Sequence, residues 1–598
     1  MSMRLRRPLA AFLGTVSLAG AAASLPVSPA RSVPPPTDAQ CPQIAPITGV
    51  TAGQPVDGLT VSSGTTPEPF TGTVLGTIAD GIAPGLDMIV VRLTSPEIDR
   101  VGGIWEGMSG SPVYAADGRL IGAVSYGLAN GVSPVAGVTP AADMQALLTS
   151  GTGARAAAAQ RVHPSARLRA RMVGGATTPS EAGSGLDRLT VPVAVSGLSG
   201  ARLARASSRL HLGDVRLYRS GPAATAAPAG AASQIVAGGN LAASLSYGDF
   251  SAVGTGTATM VCDGVVVGFG HPFDFAGDTS LTMHGADAIY VQEDPLGVPF
   301  KMSNPTGPVG VIDEDRLAGI KGELGAAPPA TLVRTAVTGP GGRSRTGDTR
   351  VSVPDFASTA TLLGFLANLD RVFDHTGKGS ALVQYTVRGH TSAGTPFTVA
   401  RANRYVDTAD LTFAASEEPA DAVGALVDND FTAVTLDQVR IDASLSDQVR
   451  SYRIGKVQVR VKRGWRTVGA SSVVRVRHGR RITLRVLLTS RRGELGTKVL
   501  TTHLRVPASA SRGEIGLVDV GSAADGSGGD SEDGTVASDA GTPGSFGQLV
   551  QALQTAPRND ELSLSLQLES DQAGPAVARR ALVGAVVSGD AQFTVRVR

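Results

Sequence analysis

The sequence predicts a mainly β protein, and three observations lead to that expectation. Glycine is abundant at 75 residues while aromatics make up only 4% of the chain, a mix that suits short strands and tight turns. Short apolar runs separated by Gly and Pro turns recur, as in Val74–Ile78 and Met88–Leu93. Strict alternation marks two later stretches. Val457, Val459 and Val461 interleave with Lys456, Gln458, Arg460 and Lys462, and Leu562, Leu564, Leu566 and Leu568 interleave with Ser and Gln.

Taken in order, the chain opens with Arg4, Arg6 and Arg7 ahead of an apolar, small-residue stretch from Pro8 to Leu25. This is the pattern of an export signal over residues 1–32, with Ala19-Gly20-Ala21 or Ala21-Ala22-Ala23 as cleavage site; an uncleaved anchor is the alternative. Residues 41–150 read as a first lobe of strands. It closes on a short helix from Pro140 to Leu148, with Thr139 as its N-cap. Residues 151–185, rich in Ala, Arg, Gly and Ser, read as a linker, with a helix in its Ala-rich middle as the alternative. A second lobe spans 186–375, where Cys262-Asp263-Gly264 is a hairpin turn signal. Its end carries Phe356, Leu362, Leu363, Leu366 and Leu369 at the spacing of an amphipathic helix. Residues 376–520 form a β-rich, β-sandwich-like region. Residues 521–545 are an acidic, flexible linker, whose Asp525, Asp530, Glu532 and Asp533 fail the spacing of a calcium loop. A helix from Phe546 and further strands to residue 598 complete the β-rich region.

The net charge of +2 gives no general attraction to nucleic acid. No cofactor is implied: there is no Walker loop and no H-E-x-x-H, Gly254-x-Gly256 is too short for a dinucleotide motif, and neither cysteine has zinc-ligand spacing. Export makes a disulfide between Cys41 and Cys262 the expectation, tying the N-terminal segment to the strand before His271, with two buried free thiols as the alternative. The basic run around Arg475, Arg477, Arg480 and Arg481 reads as a solvated sheet face, with polyanion binding as the alternative.

Gly107-Met108-Ser109-Gly110-Ser111-Pro112 carries the chemistry. Glycines on both sides of a serine let the backbone turn sharply and bring N–H groups together at one point. A serine hydroxyl needs a base within reach, and none of the eight histidines precedes Ser109. The base must come from downstream, where Gly270-His271-Pro272 follows an apolar strand; His284 is the reserve, and Ser111 is the competing nucleophile.

The hexapeptide, the turn Ala115–Gly118 and the following Leu120-Ile121-Gly122-Ala123-Val124 resemble the SpoIVB-type (sporulation stage-IV-B) serine peptidase family. The segment around Gly270-His271 resembles that family's base-bearing segment, and Val309–Arg316 with Gly319–Gly322 resembles its next pattern. The resemblance covers residues 50–150 and 235–340. It implies a chymotrypsin-like two-lobe β-barrel with Ser109 as nucleophile, His271 as general base and the N–H groups of Gly107 and Ser109 as oxyanion hole. The Ser segment precedes the His segment here, the reverse of the family's order, which points to a permutation of the lobes. The position of the family's acid falls at Thr94 or Ser95, which carry no charge. Thr94, Asp99, Asp274 or a backbone carbonyl are then the candidates to orient His271. By analogy with chymotrypsin-like enzymes, Ser125-Tyr126-Gly127 is the edge that pairs with a substrate backbone. The expected function is an exported serine endopeptidase acting on protein or peptide substrates, itself included, outside the cytoplasmic membrane. The alternative is a catalytically inactive envelope protein that binds a protein or a cell-wall polymer.

Overall fold

Antiparallel pairing closes the N-terminal region into a six-stranded barrel. Strand Pro55–Thr60 pairs with Glu68–Ala83, which pairs with Leu86–Thr94. The ring continues through Val135–Pro140, Leu120–Leu128 and Pro112–Ala115 and returns to Pro55–Thr60. Val56, Phe70, Val74, Ile89, Val91, Val113, Val124 and Val138 fill its interior, the inward set that alternation along each strand provides. Leu186–Arg188 lies on the outer edge of Leu120–Leu128 as a seventh strand. This computed structural model describes residues 41–149, 161–174, 177–206, 215–227, 230–294, 297–490, 494–522, 543–570 and 577–598. At 51% strand and 17% helix it is mainly β. The expected signal peptide 1–32 and residues 523–542 of the acidic linker lie outside the described residues.

A second set of pairings also returns on itself. It runs from Asn240–Gly248 to Gly277–Gln292, Phe300–Arg316, Gly319–Leu324, Val265–Gly268 and Ala252–Cys262, and back to Asn240–Gly248. The expected turn joins two of these strands, with Asp263 and Gly264 both at positive φ (49° and 84°). Tyr114, Leu120 and Ala123 of the first ring, with Met144 of the helix after it, pack with Met260, Cys262 and Val267 of the second and with Ala318 in a turn beside it. The Cys41–Cys262 disulfide crosses the same seam.

The second sheet continues through Ser344–Val351 into Thr331–Thr338, Val434–Ser446, Gly379–Thr391 and Pro396–Asp407. Helices Ala357–Phe373 and Leu411–Val427 pack on this extension and on each other. The first of them is buried on nearly every side rather than amphipathic, because sheet and partner helix enclose it. The boundary expected at 375/376 therefore falls inside this α/β extension. Beyond it, two five-stranded sheets share one core. Val457, Val459, Leu484 and Val486 come from one sheet, and Val518, Val520, Leu564, Leu566, Phe593 and Val595 from the other. Helix Phe546–Thr555 lies against the extension, with the Phe546 and Phe397 rings 5.0 Å apart edge to face.

Of the segment read as a linker, residues 151–160 and 175–176 lie outside the described residues, and residues 161–174 and 177–185 are folded. Ser165 caps Ala166–Met172, and Thr178 with Glu181 forms a capping box on Pro179–Ser184. Leu168, Met172 and Ala182 are buried against Leu75, Met88 and Tyr126. Small residues dominate the composition there, but the caps and the four-residue spacing of Leu168 and Met172 are enough for short docked helices.

Leu564 is fully buried in the C-terminal core. Leu564→Ala is expected to cost about 2–5 kcal/mol through the cavity it leaves, seen as an earlier urea transition of this region, with the reactivity of Ser109 unchanged.

Candidate active site

The loop that presents Ser109 is held from both rings. Helix Pro96–Val101, capped by Ser95, ends at Gly102 (φ 86°), and Ile104 and Trp105 then bury themselves in the first barrel. Two tight turns follow, closed by Met108 N–H to Trp105 O (3.1 Å) and Ser111 N–H to Met108 O (3.0 Å). Gly110 N–H donates to Val124 O (2.8 Å), and Val124 N–H to Ser111 O (3.0 Å). From the second ring, Thr257 N–H donates to Ser109 O (2.8 Å), the Thr257 hydroxyl to Gly107 O (3.3 Å) and the Thr259 hydroxyl to Gly110 O (2.7 Å). Gly110 sits at φ 93°, and a Cβ there would collide with the Thr257 carbonyl, so only glycine fits. The loop's carbonyls are thus engaged. Among the described residues, the N–H groups of Gly107 and Ser109 donate to no protein acceptor.

His271 arrives from the other ring. Strand Val265–Gly268 ends where Phe269 and Gly270 both take positive φ (64° and 67°). A left-handed Phe is strained and persists only where its surroundings hold it. Phe269 is fully buried, and the Gly270 carbonyl accepts the Thr139 hydroxyl from the first barrel (2.6 Å). Thr139 is therefore spent across the seam and not as a helix cap; helix Ala141–Ala146 starts after Pro140 without a side-chain cap. Beyond His271, Asp315 gathers the chain: its fully buried carboxylate accepts N–H groups from Phe273 (2.7 Å), Asp274 (2.7 Å) and Ala276 (3.2 Å). Burial pushes the Asp315 carboxyl up, and these three donors oppose that shift.

The two segments bring His271 Nε2 to 2.8 Å from Ser109 Oγ. Both side chains are buried. His271 Nδ1 lies 2.8 Å from the carbonyl oxygen of Pro272. A carbonyl only accepts, so Nδ1 carries the proton and Nε2 offers its lone pair to the serine hydroxyl. Burial first, and then the nearby charge of Arg188, push the imidazole down to about 3, so it is neutral at physiological pH.

The orienting group is thus the backbone carbonyl of Pro272. Thr94 and Asp99 do not bond to the imidazole; they bond to each other (3.3 Å) at the end of strand Leu86–Thr94 and the start of the next helix. Asp274 does not bond to it either, because the turn after Pro272 carries its side chain outward while its N–H goes to Asp315. Ser111 is buried with its hydroxyl on Thr60 (2.9 Å) and Thr257 (3.4 Å), a structural bridge between the rings. His284 pairs with Ser244 (2.8 Å) and the Thr306 carbonyl (2.9 Å). Ser244 lies mid-strand in a ladder, without the turned loop that frees N–H groups at Ser109. Ser125, Tyr126 and Gly127 lie on the barrel strand flanking the serine loop.

Sequence reasoning missed three neighbours. Asp315 sits in the run Asp313-Glu314-Asp315, where nothing local separates the buried acid from its neighbours. Lys301 is fully buried, its stem against Gly107 and its ammonium on Asn240 Oδ1 (2.9 Å), and burial lowers it to about 7. Glu106 is buried in an ion pair with Arg216, which also holds Asp294 (2.6 Å). The signal for both is a charge flanked by apolar residues, which is too common to single them out. Among the described residues, no cluster of three or more His, Cys, Asp or Glu is arranged to hold a metal ion.

Asp315→Ala removes the acceptor of three buried N–H groups and is expected to cost about 1–3 kcal/mol. It should also slow any reaction at Ser109, measured side by side with thermal melting. His284 is held down to about 4, below its ordinary 6.5. The unfolded chain therefore binds a proton there that the folded chain refuses, and stability falls as pH drops from 6.5 toward 4. His284→Gln is expected to flatten that dependence by about 1.4 kcal/mol per pH unit, read from urea unfolding at a series of pH values.

No family model matches this chain, and neither a curated protein nor a solved structure matches it.

Proposed function

We propose that this chain is an exported serine endopeptidase that works through an acyl-enzyme. The observation that carries the proposal is the Ser109–His271 hydrogen bond, formed beside two backbone N–H groups that have no acceptor among the described residues. Ser109 Oγ attacks a peptide carbonyl carbon and its proton passes to His271 Nε2. The N–H groups of Gly107 and Ser109 stabilise the oxyanion. Collapse breaks the C–N bond, and His271 returns the proton to the leaving amine. Water, activated by the same imidazole, then hydrolyses the ester. The two rings with the site at their seam support a chymotrypsin-like double barrel with the Ser-bearing lobe first. The SpoIVB-type motif supports the same ancestry, and the two C-terminal sheets suit a β-sandwich. The basic, then apolar N-terminal sequence supports export, and the disulfide is compatible with an oxidising compartment.

One observation favours the second reading, a non-catalytic envelope protein. A carbonyl stands where a carboxylate would stabilise the imidazolium; disabling that carboxylate in a serine protease costs about 10⁴ in kcat. Turnover is accordingly expected to be slow. A fluorophosphonate probe separates the two readings. Wild type is expected to label at Ser109, Ser109→Ala not at all, and His271→Ala about 10²-fold or more slowly. Folded wild-type protein that takes no label would end the peptidase reading.

A further inference from the structure

The edge that a chymotrypsin-like site offers to its substrate is Ser125-Tyr126-Gly127, and the chain itself occupies it. Arg188 pairs antiparallel with Tyr126, Asp187 with Gly127 and Leu186 with Leu128. Leu189 N–H donates to Ser125 O and Ala129 N–H to Gly185 O, both at 3.0 Å. This is how an extended peptide adds to an open sheet edge. Leu189 is the last residue that the edge holds. The Thr190 hydroxyl then reaches the carboxylate of Glu106, and Pro192 packs on Gly107, where a Cβ would lie 3.2 Å from the proline ring. The peptide bond between Leu189 and Thr190 thus joins a residue held by Ser125 to a residue that reaches Glu106, three positions before Ser109.

The side chains fit the same description. Leu189 is buried over Gly127 and beside Ile104; a Cβ on Gly127 would meet their methyl groups at 3.1 and 3.3 Å. This apolar slot takes a leucine-sized group. Arg188 lies close enough to His271 and Tyr126 for its charge to act on both.

We propose that residues 186–190 are an intramolecular substrate of this site and that the bond Ser109 attacks is Leu189–Thr190. The inference rests on the peptidase reading above. In the step, Ser109 Oγ bonds to the Leu189 carbonyl carbon and its proton moves to His271. The bond to the Thr190 nitrogen breaks, and that nitrogen takes the proton. Water then releases Leu189 as a carboxylate and restores the serine. Because Cys41 lies before the cut and Cys262 after it, the two products stay joined by the disulfide.

The test follows purified full-length protein by intact mass, N-terminal sequencing and gels run with and without reductant, alongside fluorophosphonate labelling. The expected result is a new N-terminus at Thr190 in wild type, with two fragments that separate only on reduction. Ser109→Ala should stay intact. Leu189→Asp, checked for folding by its melting curve, should stay uncut at this bond and still label at Ser109; Thr190→Pro offers a second block with the leucine slot filled. Wild type that labels at Ser109 yet stays whole, or is cut elsewhere, overturns this proposal and leaves the peptidase reading standing. Cleavage at Leu189–Thr190 that persists in Ser109→Ala also overturns it. If neither wild type nor folded Leu189→Asp is labelled, the peptidase reading falls and this proposal with it.

Discussion

Ser109 is bonded twice to the second ring: its carbonyl accepts Thr257 N–H and its hydroxyl meets His271. The other contacts at the seam serve this pair of bonds. Thr259 and Thr139 reach across from opposite sides to carbonyls on the two loops, and Ser111 bridges to Thr60 and Thr257. These are short side chains with few rotamers, so ordering them costs little entropy. Each satisfies a buried carbonyl or hydroxyl that would otherwise lose its hydrogen bonds on leaving water. Neither ring alone could hold the serine and the imidazole within one hydrogen bond of each other.

The charged groups around this seam have the opposite economy. Asp315, Lys301 and Glu106 are almost fully buried, and burial disfavours the ionised form of each. Each is offset by specific partners: three N–H groups for Asp315, the side-chain amide oxygen of Asn240 for Lys301 and the Arg216 guanidinium for Glu106. Asp315 and Glu106 sit directly behind the His271 turn and the Gly107 turn. Their desolvation is tolerated where it fixes the backbone that aims the site, a pattern common to functional centres. His271 is likewise neutral because it is buried, which leaves its Nε2 lone pair facing the Ser109 hydroxyl.

Much of this was legible beforehand. Glycines around Ser109 announce a turned loop, and Gly107 and Gly110 do take positive φ. The Asp263-Gly264 turn and the alternation at Val457–Val459 and Leu562–Leu568 follow from local sterics and the period of a strand. Other features were hidden because they depend on partners distant in the chain. The segment around Leu168 and Met172 looks like a linker by composition, yet it docks through those two residues. Thr139 looks like a helix cap, but the Gly270 carbonyl is closer to hand. Thr94, Asp99 and Asp274 are acceptable candidates by sequence proximity, which says nothing about which acceptor faces Nδ1.

The amino-acid sequence by itself determined the mainly β class, the turned loop that carries Ser109, and that any histidine beside Ser109 lies downstream of it. Each of these depends on residues within a few positions of one another, or on a simple count. The sequence also singled out His271, with His284 in reserve; the tertiary structure alone decided that His271 lies against Ser109 and that the Pro272 carbonyl holds its Nδ1. It also decided that Asp315 holds the turn behind them and that residues 186–189 occupy the edge beside Ser109. Those outcomes follow from the way two closed rings pack along one seam, where hydrogen bonds join residues far apart in the chain and no local pattern records the pairing.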